Sequence, residues 1–344
     1  MPGPVIDWSK VERVLVIRLR SIGDTVLATP TLTALRRHLP SARIDILLED
    51  WVSPLLLGHD EVDTVLTTGK SFAERMRAAM RIRRERFDAV INLHGGTTST
   101  FFTRASGAPV RIGYAEYRYS FLYTHLLSSS ADFWGRSPTH SVEQQLALAG
   151  SVGIPVSRDI PTRLTVSPEA ENSVASRLAE KLPPGEFALI HPTAAFETKQ
   201  WGVEKFARVA EFLCGRGIAT VAVAGPGEHG VLYRLAESSS VPIAAFNDLS
   251  LPEITALAAK ARVFVGNDSG IAHIAAATGT PPLVIFGSSN RDHWRPWTNG
   301  PSEIVFAEYP CQPCPGYECA VFGDSRCIRD VSAESVIEAL TRLI

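Results

Sequence analysis

The sequence predicts an α/β fold built as two doubly wound halves, each a parallel sheet with helices on both faces. Three observations carry that reading. Short, nearly unbroken apolar runs recur, as at residues 14–17 and 187–190, and such runs mark strands buried on both faces. Stretches with helical apolar spacing lie between them, so strands alternate with helices. The pattern then starts afresh after a stretch punctuated by Pro155, Pro161 and Pro168, in a chain of 344 residues that is long enough for two cores.

Composition agrees with a globular protein: 45% of residues are apolar and 20% charged, which argues against disorder. The net charge of −2 supplies no global field toward nucleic acid or a bilayer. No apolar stretch approaches the roughly 20 residues a membrane helix needs. The opening Met1-Pro2-Gly3-Pro4-Val5-Ile6-Asp7-Trp8 has neither a basic nor an apolar leader region, so the expected location is cytoplasmic.

Taken in order, residues 13–19 read as the first buried strand, with a turn at Ser21-Ile22-Gly23-Asp24. One helix is expected over residues 25–39, from Val26, Leu27, Leu32 and Leu35 with Pro40 as its breaker. Strand-like residues 44–48, a helical piece at 54–57 and a run at 62–66 lead to a basic helix at about 71–86. Between Arg75 and Arg86 it carries six arginines (Arg75, Arg77, Arg81, Arg83, Arg84, Arg86) against Glu85. Such a run is either a solvated face or a docking surface for a phosphorylated or membrane-embedded partner. Residues 89–93 form a strand running into His94-Gly95-Gly96; the alternation weakens over 107–135, and a helix follows at 140–151.

The second half opens with a helix at 168–182 and a strand at 187–190. The helix at 203–214 sets Phe206, Val209, Ala210 and Leu213 on one face, where Cys214 reads as a small core residue, and Gly215 and Gly217 end it. A strand at 219–224 gives way to Gly225-Pro226-Gly227-Glu228. Ser250-Leu251-Pro252-Glu253 is a capping box opening a helix. Strands at 263–265 and 283–286 flank Gly266-Asn267-Asp268-Ser269-Gly270 and its helix. The expected domains are residues 1–163 and 164–344, with ligands bound in a cleft beyond the carboxyl ends of both sheets.

Four constellations carry chemistry. Asp24 follows the first strand at a helix start, where it reads either as a cap or as a general base; no G-x-G-x-x-G fingerprint accompanies it. A helix N-terminus lowers a carboxyl pKa, so such a base takes its proton only as an acceptor hydroxyl attacks. In His191-Pro192-Thr193-Ala194-Ala195-Phe196-Glu197-Thr198-Lys199-Gln200-Trp201, a strand end is followed by a hydroxyl, a lysine suited to phosphate and an aromatic ring; an exposed loop lysine is the plain alternative. In Gly266-Asn267-Asp268-Ser269-Gly270-Ile271-Ala272-His273, glycines and a new helix suit a diphosphate, with Asp268 expected to cap the helix or accept from sugar hydroxyls. His273 reads equally as a core histidine. The chain has no Asp-x-Asp pair to hold a metal-bound diphosphate, so Lys199 and the helix start must stabilise one. The fourth constellation is Cys311, Cys314, Cys319 and Cys327, in a segment with Pro310, Pro313, Pro315 and Gly316. Its first spacing is typical of zinc ligands and the later ones are irregular, so structural zinc, reduced thiols and a redox-sensitive pair all fit, none of them catalytic.

Together, residues 14–35 (VLVIRLRSIGDTVLATPTLTAL), 191–206 (HPTAAFETKQWGVEKF) and 263–297 (VFVGNDSGIAHIAAATGTPPLVIFGSSNRDHWRPW), with the cysteine tail at 311–327, resemble glycosyltransferase family 9, the bacterial heptosyltransferases of the lipopolysaccharide inner core. The resemblance implies a GT-B fold, with residues 1–163 binding the acceptor and 164–344 the donor. It implies inverting, metal-independent transfer of heptose from ADP-heptose, with no catalytic cofactor, to a lipid A-linked core oligosaccharide at the inner face of the inner membrane. By the same likeness Asp24 is the base and Lys199 steadies the donor phosphates, while Thr193, Glu228, Asp268, Ser269, Gly270 and His273 contact the nucleotide-sugar. Ala194 departs from the paired hydroxyl residues of some members. His94, Gly95 and Arg111 fall on the acceptor side, and the basic helix, through Arg83 and Arg84, is expected to meet acceptor phosphates. A family member with another nucleotide-sugar or acceptor, a non-catalytic bilobed sugar-binding protein, and a nucleotide-sugar epimerase or hydrolase are the competing readings.

Overall fold

The computed structural model describes residues 5–314 and 317–344; residues 1–4, and Pro315 and Gly316 of the cysteine-rich segment, lie outside the described residues. The chain divides into two compact units, Met1–Thr165 and Val166–Ile344.

The first unit holds strands β1 (Arg13–Ile17), β2 (Arg43–Glu49), β3 (Thr64–Thr68), β4 (Ala89–Asn92), β5 (Val110–Tyr114) and β6 (His125–Leu127). All pairings are parallel, in the order β3-β2-β1-β4-β5-β6. The central strands are apolar on both faces because helices cover both; Leu15, Ile17, Leu47 and Val90 are fully buried. Burying such a side chain contributes about 1.5–3 kcal/mol.

The single helix expected over residues 25–39 is two, Ile22–Val26 and Thr29–His38. Pro30 explains the break. In a continuous helix its ring would meet the Val26 carbonyl and leave it without a donor. The Thr29 hydroxyl donates to that carbonyl instead (2.8 Å), and Pro30 enters the second helix in its first turn, where no N–H is needed. Strands β5 and β6 fall in the region where alternation weakens. Arg111 and Gly113 interrupt the apolar pattern of β5, and β6 is three residues long.

The second unit repeats the winding. Strands β7 (Phe187–His191), β8 (Ala219–Val223), β9 (Ile243–Phe246), β10 (Val263–Asn267), β11 (Pro282–Phe286) and β12 (Glu303–Phe306) lie in the order β12-β11-β10-β7-β8-β9, again all parallel. The helix Val203–Cys214 packs Phe206, Val209, Ala210 and Leu213 into this core. Cys214 is exposed, contrary to expectation, because the position after Leu213 turns about 100° off the buried face.

Each sheet winds one way from its central strand and then the other. The order therefore reverses between β1 and β4 in the first unit and between β7 and β10 in the second. Loops leaving adjacent strands there run to opposite faces of the sheet, which opens a crevice at the strands' carboxyl ends. Among the described residues no helix is long and apolar enough to cross a membrane.

Candidate active site

In the first unit, Asp24, His94 and Gly95 emerge at the β1–β4 switch point. Asp24 completes a capping box at the start of its helix. Ser21 is the N-cap, and Asp24, at the third helical position, reaches back so that Oδ2 accepts from the Ser21 N–H (3.2 Å) and hydroxyl (3.0 Å). Oδ1 accepts from the Arg18 guanidinium, which also donates to the Leu93 carbonyl just beyond β4 and so ties the two strand ends together. Burial raises the Asp24 pKa, but the Arg18 charge and the hydrogen bonds from Ser21 and Arg18 outweigh it, holding the carboxyl below the usual aspartate range.

His94 is shaped by Asn92, whose side-chain oxygen accepts from the backbone N–H of His94 (2.9 Å) and of Gly95 (3.2 Å). The Asn92 amide is fixed in turn by Tyr123 (2.7 Å), Ser99 (3.1 Å) and Thr103 (3.2 Å). Gly95 has φ +76°, and a Cβ there would come within 2.4 Å of the Tyr117 ring, so the turn requires glycine. Burial lowers the His94 pKa to about 4, helped by the Arg18 charge, so the imidazole is neutral at pH 7, with Nδ1 lacking a hydrogen-bond partner. A neutral imidazole near an ionised carboxylate can accept a hydrogen bond from a hydroxyl and help to orient it.

Arg111, Arg83 and Arg84 are not brought to this end of the sheet. A helix returning between parallel strands ends at their amino edge. Accordingly Arg83 donates to the Ser106 carbonyl (3.3 Å), ahead of β5. Arg111, the second residue of β5, spends its guanidinium on the carbonyls of Ala108 (2.5 Å) and Leu122 (2.7 Å), which precede β5 and β6. The carboxyl ends of the strands, where Asp24 emerges, therefore lie away from all three.

In the second unit, Thr193, Lys199, Glu228, Asp268, Ser269, Gly270 and His273 gather beyond β7, β8 and β10. Glu228 precedes the helix His229–Ser238, and its Oε2 accepts from the Thr193 hydroxyl (2.9 Å) and the Gly225 N–H (2.7 Å). Thr193 meets His191 Nε2 (3.2 Å), and His191 Nδ1 meets Ser269 (3.0 Å), so one buried ring joins the two sides of the switch point. Ser269 is the N-cap of the helix Gly270–Ala277 yet makes no capping hydrogen bond, and His273 is buried one turn inside that helix. Asp268 neither caps nor stands alone: its Oδ2 accepts from Lys199 Nζ (2.7 Å) and the Ser289 hydroxyl (2.5 Å). Lys199 Nζ lies 5.6 Å from the Phe196 ring centroid. Trp201 is a core anchor, its N–H bonded to Asn267 (3.1 Å) and its indole to the Val331 carbonyl (2.9 Å).

His191 gives a pH prediction. Burial lowers its pKa from 6.5 to about 4, with Glu228 opposing weakly. The unfolded chain therefore binds this proton more readily. The stability the neutral ring contributes is complete above about pH 6.5 and is lost as pH falls toward 4, by about 3 kcal/mol. In urea melts across that range, His191→Gln is expected to flatten the acid loss, and a profile parallel to the wild type would remove His191 from it.

Cys311, Cys314, Cys319 and Cys327 line one cavity of about 200 Å³. Burial, then the neighbouring thiols, pushes the Cys327 pKa up to about 11. Among the described residues no three His, Cys, Asp or Glu side chains form a group able to hold a metal ion.

Two units with the same six-stranded winding, each presenting charged and hydroxyl side chains at its switch point, are the architecture of a GT-B glycosyltransferase. A family model for glycosyltransferase family 9 (heptosyltransferase) matches residues 75–322, and the chain belongs to that family. It is 28% identical to lipopolysaccharide heptosyltransferase 3 of Escherichia coli strain K12, over 95% of this chain and 96% of that protein. Among solved structures it is similar to the family 9 glycosyl transferase of Veillonella parvula (TM-score 0.83, 19% identity, 99% of this chain and 98% of that one). It is also similar to E. coli heptosyltransferase WaaC solved with ADP-2-deoxy-2-fluoro heptose (TM-score 0.70, 20% identity, 96% and 99%).

Sequence reasoning passed over Arg18, Asn92 and Ser289 and did not single out His191. A charged side chain ending an apolar strand six residues before Asp24 was the available signal for Arg18. Asn92 and Ser289 carry no signal short of the fold.

Proposed function

We propose that this heptosyltransferase family member is an inverting, metal-independent enzyme using ADP-heptose, with a lipid A-linked core oligosaccharide as acceptor. In this reading the chain works in the cytoplasm, at the inner face of the inner membrane. An acceptor hydroxyl attacks the anomeric carbon of the heptose as its proton passes to Asp24, and ADP leaves with its new charge met by Lys199 and the start of the helix Gly270–Ala277. The observation that carries the reading is Asp24 itself: a carboxylate held ionised at a switch point, with one oxygen bonded to Arg18 and the other to Ser21. Direct attack by the acceptor needs one base and forms no glycosyl-enzyme, so the anomeric centre inverts. Metal independence is supported by the absence of an Asp-x-Asp pair from the sequence and by the cationic and helix-start groups that take its place. The donor is supported by the relative solved with an ADP-heptose analogue.

The test is incubation of the full chain with ADP-heptose and truncated lipopolysaccharide acceptors, with and without a chelator, reading products by mass. A heptose added to the acceptor in chelator is expected. Ligand binding with no transfer to any acceptor would favour a sugar-binding protein, and free heptose or an isomer without acceptor would favour a hydrolase or epimerase.

A further inference from the structure

The helix Phe72–Glu85 buries Ala78, Ala79 and Ile82 in the first unit's core and turns the rest of its surface outward. Phe72, Met76 and Met80 follow one another at intervals of four on that outward side; Phe72 is 80% and Met80 51% exposed. Arg77, Arg81 and Arg84 form an adjacent exposed stripe at i, i+4 and i+7. Arg83 and Arg86, with Gly107 and Pro109, line an open groove of about 630 Å³ at the helix's end.

The acids nearby offset this face only in part: Asp88, which lines the same groove, and Glu74 keep their charge against six arginines. Glu85 is bonded to Arg43 (2.9 Å). Asp88 accepts from the backbone N–H groups of Glu12 and Arg13 (both 2.9 Å). Glu74, within electrostatic range of Arg77, has its carboxylate on the Ser71 N–H (2.9 Å) and hydroxyl (2.6 Å). The result is a cationic face that also exposes two large apolar side chains, in a protein whose net charge is −2.

We propose that this face docks onto the surface of an anionic phospholipid bilayer. Clustered arginines are drawn to anionic headgroups, and exposed Phe and Met side chains gain by entering the boundary between headgroup and acyl chain. A small phosphorylated ligand would use the arginine groove and leave Phe72 and Met80 in water, so the pairing of charge with apolar surface favours the bilayer. The inference deepens the proposed lipid-linked acceptor and rests on that reading only for its purpose. Vesicle binding and sugar transfer are measured separately, so either fails alone.

The experiment floats the full chain with vesicles of phosphatidylcholine, or of phosphatidylcholine with phosphatidylglycerol, at low and raised salt. Binding is expected only to the phosphatidylglycerol vesicles, with release by salt. Arg77→Gln with Arg81→Gln should weaken partition roughly 25-fold, about fivefold for each arginine. Phe72→Ser with Met80→Ser should weaken it without changing the salt dependence. Both variants should transfer sugar to a water-soluble acceptor at the wild-type rate. Equal binding to neutral and anionic vesicles overturns the proposal, as does wild-type flotation of the arginine variant. So does an arginine variant that keeps its vesicle binding but loses affinity for a phosphorylated soluble acceptor.

Discussion

Asp24→Asn is expected to lower turnover by about a hundred- to ten-thousand-fold while leaving ADP affinity within a few-fold. The size is that of losing a positioned general base. ADP affinity is spared because the residues proposed for the donor, Thr193, Lys199, Glu228 and Asp268, belong to the second unit. The asparagine also removes one oxygen from a carboxylate that uses both, so it can serve Ser21 or Arg18 but not the two together. Losing the helix-start bond costs about 1 kcal/mol and leaving the Arg18 charge unmatched adds to it, so a melting shift beyond about 2–4 °C is expected. Turnover falling far more than that shift explains separates the chemical role from the structural one. Near-normal turnover removes Asp24 from the mechanism. Arg18→Gln supplies the complementary measurement. Burial is the largest influence on Asp24 and Arg18 the main opposing one, so without the guanidinium the carboxyl pKa rises. The acid limb of kcat/KM, which in the wild type lies below the usual aspartate range, then moves upward. A limb that stays put would show that another group carries it.

How much of this was legible beforehand follows from which residues bear a local pattern. The strands β1, β4, β7, β10 and β11 are buried on both faces, so their apolar runs show in the sequence, and the switch-point loops follow immediately after the first four. Edge strands β6 and β12 are short or only half-buried and leave almost no such trace. The arginine run is legible as charge, but the end of the sheet that Arg83 and Arg84 reach follows only from topology, since a helix between parallel strands runs back to their amino edge. The ties that tune the site are long-range: Arg18 to Leu93, Asn92 to Tyr123, His191 to Ser269. No periodicity reports such pairs, because each joins segments that only the sheet order makes neighbours. Asp268 shows the same limit, since its partner Lys199 is 69 residues away.

That pair sets the second large effect. Lys199→Ala is expected to destabilise the protein by about 3 kcal/mol. Removing one partner of a largely buried pair leaves the other charge unmatched. Asp268 has a side-chain exposure of 7% and keeps only the Ser289 hydroxyl, while the 19% exposure of Lys199 places the effect toward the low end for such pairs. Adding Asp268→Asn should restore most of the stability by removing the stranded charge. It should not restore the donor interaction, because a charge-assisted hydrogen bond from Lys199 to a phosphate is worth about 1.5–3 kcal/mol, or roughly 10- to 150-fold in ADP affinity. The double variant is therefore expected to melt near the wild type yet gain little from added ADP, whereas a ligand that binds the folded wild type raises its melting point. Full recovery of ADP stabilisation in the double variant would mean that Lys199 only shields Asp268. Recovery of stability without affinity would assign the ammonium to the leaving diphosphate, with Asp268 holding it in place until the donor arrives.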